Sequence, residues 1–411
     1  MNRKDVSLSA TAQLCKATDM ELILTSAPMR HAQQRVEICE HKGIGHPDSL
    51  CDGVADAVSQ ALCAAYLREY GEIRHHNVDK ALLIGGQSTP TFGGGQVDQP
   101  IRLIVAGRAN PLPKDGSLAD LVRAAAHGYL ANALRCPIDL FRIESAARNG
   151  SPNLRRVVDA GITVAIANDT SFGAGFAPYS PLEQTVLLLA EHLRSALFRE
   201  AFPMAGDDFK IMGRRVDDRI GFTVALAFVD REVKSAAHYL SQKAEMVNWL
   251  GSRLDQPGEI RINTLDDPNA TDETGLYLTV TGLSAEHGDD GQVGRGNRVS
   301  GLITPFRAMS LEAVAGKNPV SHVGKIYNVL ATALANALVS RIPEIEEAQV
   351  QLLSAIGQPV SHPQLVAIEL ATADGRLDSV NKRYVENLVR ATLDDIPALS
   401  AKLARGECKV F

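Results

Sequence analysis

A chain of 411 residues, 45% hydrophobic and 22% charged, has ordinary globular composition and the length for two or three cores. Its formal charge of −6 excludes the basic surface expected of a nucleic-acid binder, and no apolar run approaches the roughly 18 residues of a membrane span. Six scattered cysteines without CxxC spacing argue against a zinc site and fit reduced thiols in a cytoplasmic protein.

The start, "MNRKD", is charged and leads into no apolar stretch of signal-peptide type, so residues 1–34 are expected to be an irregular extension. "VEICE" (36–40) alternates like a half-buried strand. After the glycine turn "HKGIG", apolar positions recur at helical period from Leu50 to Ala65, with Pro47 suited to the first turn and Gly71 to the stop. "ALLIGG" and "IRLIVAGRA" read as strands, and "SLADLVRAAAHGYLANAL" as a helix. "VVDAGITVAIAN" reads as a strand running into a glycine loop, "DTSFGAGFAPYS", and "PLEQTVLLLAEHLRSALFREAF" as one long helix. "IGFTVALAFVD", "GEIRINTL" and "GLYLTVTGL" read as strands around the helix "SAAHYLSQKAEMVNWLGSRL". A glycine-rich stretch and the helix ending "IYNVLATALANALVSRI" follow. The chain closes with the strands "VQLLSAIG" and "QLVAIEL" and the helix "VNKRYVENLVRATLDDI". This alternation predicts α/β units, each a sheet backed by helices, at 35–145, 146–270 and 271–411.

Four stretches carry chemistry. In "GIGHPDS" the helix start presents free N–H groups and a positive dipole end, suited to phosphate. There Asp48 is a candidate oxygen ligand for Mg²⁺ and His46 a candidate donor to a reacting oxygen; a plain N-cap is the alternative. "GDDGQVGRGN" offers Asp289 and Arg295 among glycines, or a solvated hairpin tip. "AGKNPVSHVGK" places Lys317, His322 and Lys325 before a helix, where a phosphate would offset cations that the dipole disfavours. "ANDTSFGAGFAP" sets Asp169 between a strand and a glycine loop, in a place a turn cap would also fill. No Walker loop, GxGxxG fingerprint or GxSxG elbow is present.

Together these stretches, with "HHNVDKALLIGG" and the continuation "RVSGLITPFRAMSLEAVAGKNPVSHVGKIYN", closely resemble the archaeal-type S-adenosylmethionine synthetases from about residue 35 onward. The resemblance implies three similar α/β domains about a pseudo-threefold axis, with two subunits sharing active sites and dimers able to pair. It implies adenosyl transfer from ATP to L-methionine, with Mg²⁺ required, two ions per site, and K⁺ assisting. His46, Arg295, Lys317 and Lys325 fall on catalytic positions, and Asp48 on a metal ligand. Asp169, Asp289, Lys210, His322, Gly150 and Ser151 fall on substrate positions. The chain departs from the family at "RNGSPNL" (148–154), where Asn153 replaces an expected aspartate and Pro152 removes an N–H donor. That departure motivates two alternatives, a regulatory nucleotide-binding paralogue and a transferase with a changed thioether preference.

Overall fold

The computed structural model describes residues 20–112, 116–150, 165–255, 258–373, 375 and 377–411. The first part of the chain forms β1 (Glu21–Ser26), β2 (Val36–Lys42), α1 (Pro47–Tyr70), β3 (His76–Ile84), β4 (Gln87–Thr89), β5 (Gln96–Gln99), β6 (Ile101–Ala109), α2 (Leu118–Ala133) and β7 (Phe141–Asn149). The middle forms β8 (Phe172–Ala177), α3 (Pro181–Arg194), α4 (Ala196–Ala201), β9 (Ala205–Val216), β10 (Arg219–Val229), α5 (Ala236–Gly251) and β11 (Glu259–Ile262). The last part forms β12 (Leu278–Thr279), β13 (Gly291–Gln292), α6 (Val323–Arg341), β14 (Ile345–Leu353), β15 (Leu365–Thr372), α7 (Ser379–Asp394) and α8 (Ile396–Ala404).

Three sheets share one pairing pattern. Their orders are β1-β15-β14-β8, β11-β10-β9-β2 and β7-β6-β3-β13. In each, the first pair is parallel and the next two are antiparallel. Each sheet buries one face under two helices: α6 and α7, α3 and α5, or α1 and α2. The three hydrophobic cores follow from this, because each face alternates apolar and polar along its strands. The sheets draw strands from separate stretches of chain, so units divided at 145 and 270 do not coincide with them.

Several expectations are corrected. Residues 20–34 are not a loose tail: β1 pairs in parallel with β15, from Glu21↔Leu365 to Ser26↔Leu370. Six residues next to a polar stretch gave too short an alternation to stand out. The helix expected over 181–202 is two helices, because Ser195 turns extended and its Oγ caps the Phe198 N–H. "FGAGFA" is a strand and not a loop. A Cβ on Gly173 or Gly175 would lie 2.2 Å from the backbone of α6, so these glycines let sheet and helix approach. "GLYLTVTGL" contributes only β12, and β9 had no sequence counterpart. Most of "VVDAGITVAIAN" lies outside the described residues.

Contrary to the expectation that no apolar run nears the length of a membrane span, helix α6, alone among the described helices, is long and apolar enough to cross one, but 67% of that window is buried in the protein. It is the core helix of its sheet.

Candidate active site

The site begins with the capping of α1. Pro47 opens the helix and Gly71, at φ 71°, closes it, as its sequence predicts. The N-cap is His46, whose Nδ1 accepts the Asp48 N–H at 3.2 Å. A neutral ring with Nδ1 accepting carries its proton on Nε2. Burial pushes the His46 pKa down to about 4; Asp48 opposes this, while Lys42, Lys210 and Arg295 add to it. His46 is therefore a neutral donor among cations. Glycines 43 and 45 let the turn approach β9. Gly45 donates to Asp207 O at 3.1 Å, and a Cβ there would lie 2.5 Å from the Asp207 backbone. The turn is glycine-rich because it presses against β9.

Asp48 is buried and spans two elements. Its Oδ2 accepts from Lys42 at 2.8 Å, and its Oδ1 accepts the Gln292 N–H at 2.9 Å. The Lys42 ammonium also donates to Arg295 O at 2.7 Å. Lys42 and Lys210 are cross-strand partners on β2 and β9, and Lys210 faces Ala225 on β10. Cross-strand partners share a face, so these residues form a row on the side of the sheet away from its helices. Among the described residues, neither the Lys210 ammonium nor the exposed Arg295 guanidinium has a hydrogen-bond or ion-pair partner. Asp289 joins this group through Ser284, whose Oγ donates toward it at 2.9 Å and also meets Asp208. Burial pushes Asp208 up to about 7, with Ser284 opposing. Beside the row lies a groove of ≈ 460 Å³ lined by Thr223, Ala225, Leu265, Leu276 and Tyr277, mostly apolar.

The other expected site residues form a second cluster further along α1. Lys325 is 1% exposed and donates to Asp56 at 2.6 Å. Lys317 is likewise buried, paired with Asp79 at 2.7 Å and with Glu312. Burial opposes ionisation of Asp79, yet the adjacent Lys317 holds its pKa below the ordinary value. His322 caps α6 as His46 caps α1, accepting the Gly324 N–H at 3.3 Å; burial lowers its pKa to about 3. Gly150 follows β7, its N–H donating to Ala109 O at 2.9 Å, near His75. Asp169 is exposed, and its neighbour Asn168 donates to Ser321 O at 3.1 Å. Ser151 and the rest of "SPNL" lie outside the described residues.

Within one chain, then, His46, Asp48, Lys210, Arg295 and Asp289 come together. Lys317, His322 and Lys325 stand apart: Asp48 and Asp56 are eight residues apart on α1, about 12 Å at 1.5 Å per residue. Lys42, Asp52, Asp56, Asp208 and Tyr277 went unrecognised in the sequence. The spacing of Asp48, Asp52 and Asp56 at i, i+4 and i+8 was the available signal, a buried acidic stripe on an apolar helix.

Residues 22–407 match the S-adenosylmethionine synthetase (AdoMet synthetase) family. The S-adenosylmethionine synthase of Aeropyrum pernix is 41% identical over 403 residues, 95% of this chain and 99% of its own length. That of Pyrobaculum neutrophilum is 44% identical over 395 residues, 92% and 97% of the two lengths. The solved structure of an unusual S-adenosylmethionine synthetase from Campylobacter jejuni matches with a TM-score of 0.60 at 16% identity, over 92% of this chain and 95% of that one. The last is a likeness of fold.

Proposed function

The chain belongs to the S-adenosylmethionine synthetase family, and on that premise we propose which of its residues carry the chemistry. It is a methionine adenosyltransferase, moving the adenosyl group of ATP to the sulfur of L-methionine to give S-adenosylmethionine and tripolyphosphate, which water then hydrolyses to phosphate and pyrophosphate. A thioether has no proton to lose, so the sulfur needs no base. The difficulty lies in the departing triphosphate, which gathers charge as the ribose C5′–O bond breaks, and fixed donors aimed at that charge are the natural catalyst.

One observation carries the assignment: two cations that have no carboxylate partner among the described residues, Lys210 and Arg295, flank a neutral His46 at the positive end of a 24-residue helix. The proposal seats the triphosphate there. His46 Nε2–H donates to the leaving oxygen, and Lys42, Lys210 and Arg295 offset its charge. The groove by Thr223, Leu276 and Tyr277 takes the less polar parts of the substrates. Lys317, His322 and Lys325 are assigned a supporting role behind α1, since their charges are buried and partnered.

For Mg²⁺, the donor set fits. Asp48 offers hard carboxylate oxygens beside the cationic row, and this ion commonly takes one or two carboxylates plus substrate phosphates. Bound there, it would neutralise phosphate charge. Two such ions per site, and an assisting K⁺, are proposed on the resemblance. A cytoplasmic homodimer, with a dimer of dimers open to it, is proposed as well. In its support, the helix-free faces of two sheets expose Leu82, Phe172 and Ile23 at 42%, 46% and 40%.

Incubation with ATP, methionine, Mg²⁺ and K⁺ tests the activity. S-adenosylmethionine should form with equimolar phosphate and pyrophosphate, and formation of neither product would refute it.

A further inference from the structure

The turn that presents Arg295 is held at nearly every backbone group. Gly294 N–H donates to Asp52 Oδ1 at 2.7 Å, and the Gly296 backbone packs against the same carboxylate. Arg298 donates to Gly294 O and, at 2.8 Å, to Gly296 O. Lys42 donates to Arg295 O at 2.7 Å, and Arg295 N–H donates to Gln292 O at 3.3 Å. Asn297 exchanges two hydrogen bonds with the Lys42 backbone, both at 2.9 Å. Within 293–297 Arg295 alone is exposed.

Asp52 is the part of this clamp that comes from the rigid helix. It is 2% exposed and sits one turn beyond Asp48 on α1. A Cβ on Gly296 would lie 2.1 Å from its Oδ2, so the turn is built against this carboxylate. Both residues flanking Arg295 therefore rest on one side chain that faces no solvent. We propose that Asp52 is a positioning residue for Arg295: without meeting substrate, it fixes the 294–296 turn so that the guanidinium points at the triphosphate. This rests on the assignment of Arg295 to the triphosphate made above. Its basis is preorganisation, since a displacement of about 1 Å in a charge-stabilising group lowers rate by up to about a hundredfold.

The test is a double-mutant cycle on the full-length protein, reading kcat, the KM for ATP and thermal stability for each variant. Asp52→Ala should lower kcat about ten- to a hundredfold. In the Arg295→Ala background, the same change should lower kcat by less than about twofold, because the group it positions is gone. Asp52→Asn keeps a carbonyl oxygen for Gly294 N–H and should stay within about threefold of the parent protein. If Asp52→Ala does not fold, Gly296→Ala replaces it in the cycle, since its methyl group would push the turn away from the Asp52 carboxylate. Multiplicative losses in the double variant would overturn the positioning role while leaving Arg295 in place. Full activity in Arg295→Ala would instead remove Arg295 from the reaction and the positioning role with it. A change in melting temperature without dependence on Arg295 is the mark of a purely structural residue and counts against the inference.

Discussion

Asp56 on α1 and Lys325 on α6 form an ion pair at 2.6 Å, with the lysine 1% exposed and the carboxylate buried. The pair joins the helices of two different sheets. Its Asp56 Oδ1 also faces the Gly316 N–H at 3.4 Å, which ties the "AGKNP" turn to the same point.

Removing one partner of such a pair strands a buried charge. Lys325→Met is expected to destabilise the protein by about 3–5 kcal/mol, and Lys325→Met with Asp56→Leu by much less. Urea unfolding at one fixed protein concentration checks this. A single variant as stable as the parent would show that the pair contributes nothing.

Arg295 presents the opposite case, an exposed cation whose guanidinium has no partner among the described residues. Arg295→Ala should leave stability within about 0.5 kcal/mol and lower turnover on the order of tenfold to a thousandfold. Steady-state kinetics beside a melting curve separates the two effects. Equal losses of stability and activity would contradict the assignment.

Asp48→Asn should raise the Mg²⁺ concentration needed for half-maximal rate, because a carboxamide is a poorer ligand for a hard cation. An unchanged metal titration would move the ion elsewhere. Lys42→Met, which frees Asp48 Oδ2, should shift the same titration toward tighter metal binding.

His46 has a pKa lowered to about 4 by burial, so it stays neutral at pH 7 and protonates as pH falls through about 4. An unfolded histidine titrates near 6.5. The stability His46 contributes is therefore full above about 6.5 and lost as pH falls toward 4. Inorganic tripolyphosphate should raise the His46 pKa, since a nearby anion favours imidazolium. NMR titration of its ring resonances with and without tripolyphosphate measures this. A shift downward, or none, would place the anion away from His46.

Local structure was legible in the residues themselves. Pro47 opens a helix by its fixed φ and Gly71 closes it by its freedom to turn left-handed, and the 3.6-residue recurrence from Leu50 to Ala65 marks its buried side. The motifs "GHPD" and "GDDGQVGRGN" stand out as candidate anion sites from their side chains, with a plain N-cap and a solvated hairpin tip as the other readings. Sequence did not reveal partners. Nothing local shows that β1 completes a sheet with β15, some 340 positions away, or that Gly173 and Gly175 are small so that a strand can approach α6.

The same holds for charge. Sequence determined that Lys42, Lys210, Arg295, Lys317 and Lys325 are cations near glycine turns; only the tertiary structure sorted them. Lys317 and Lys325 pair with buried acids and are neutralised, whereas Lys210 and Arg295 form no ion pair among the described residues. The physical reason is that an ammonium's chemistry depends on the distance to its nearest carboxylate and on the water it has lost. Both are set by the packing of elements far apart in the chain, while helix capping and periodicity depend on neighbours within a few residues.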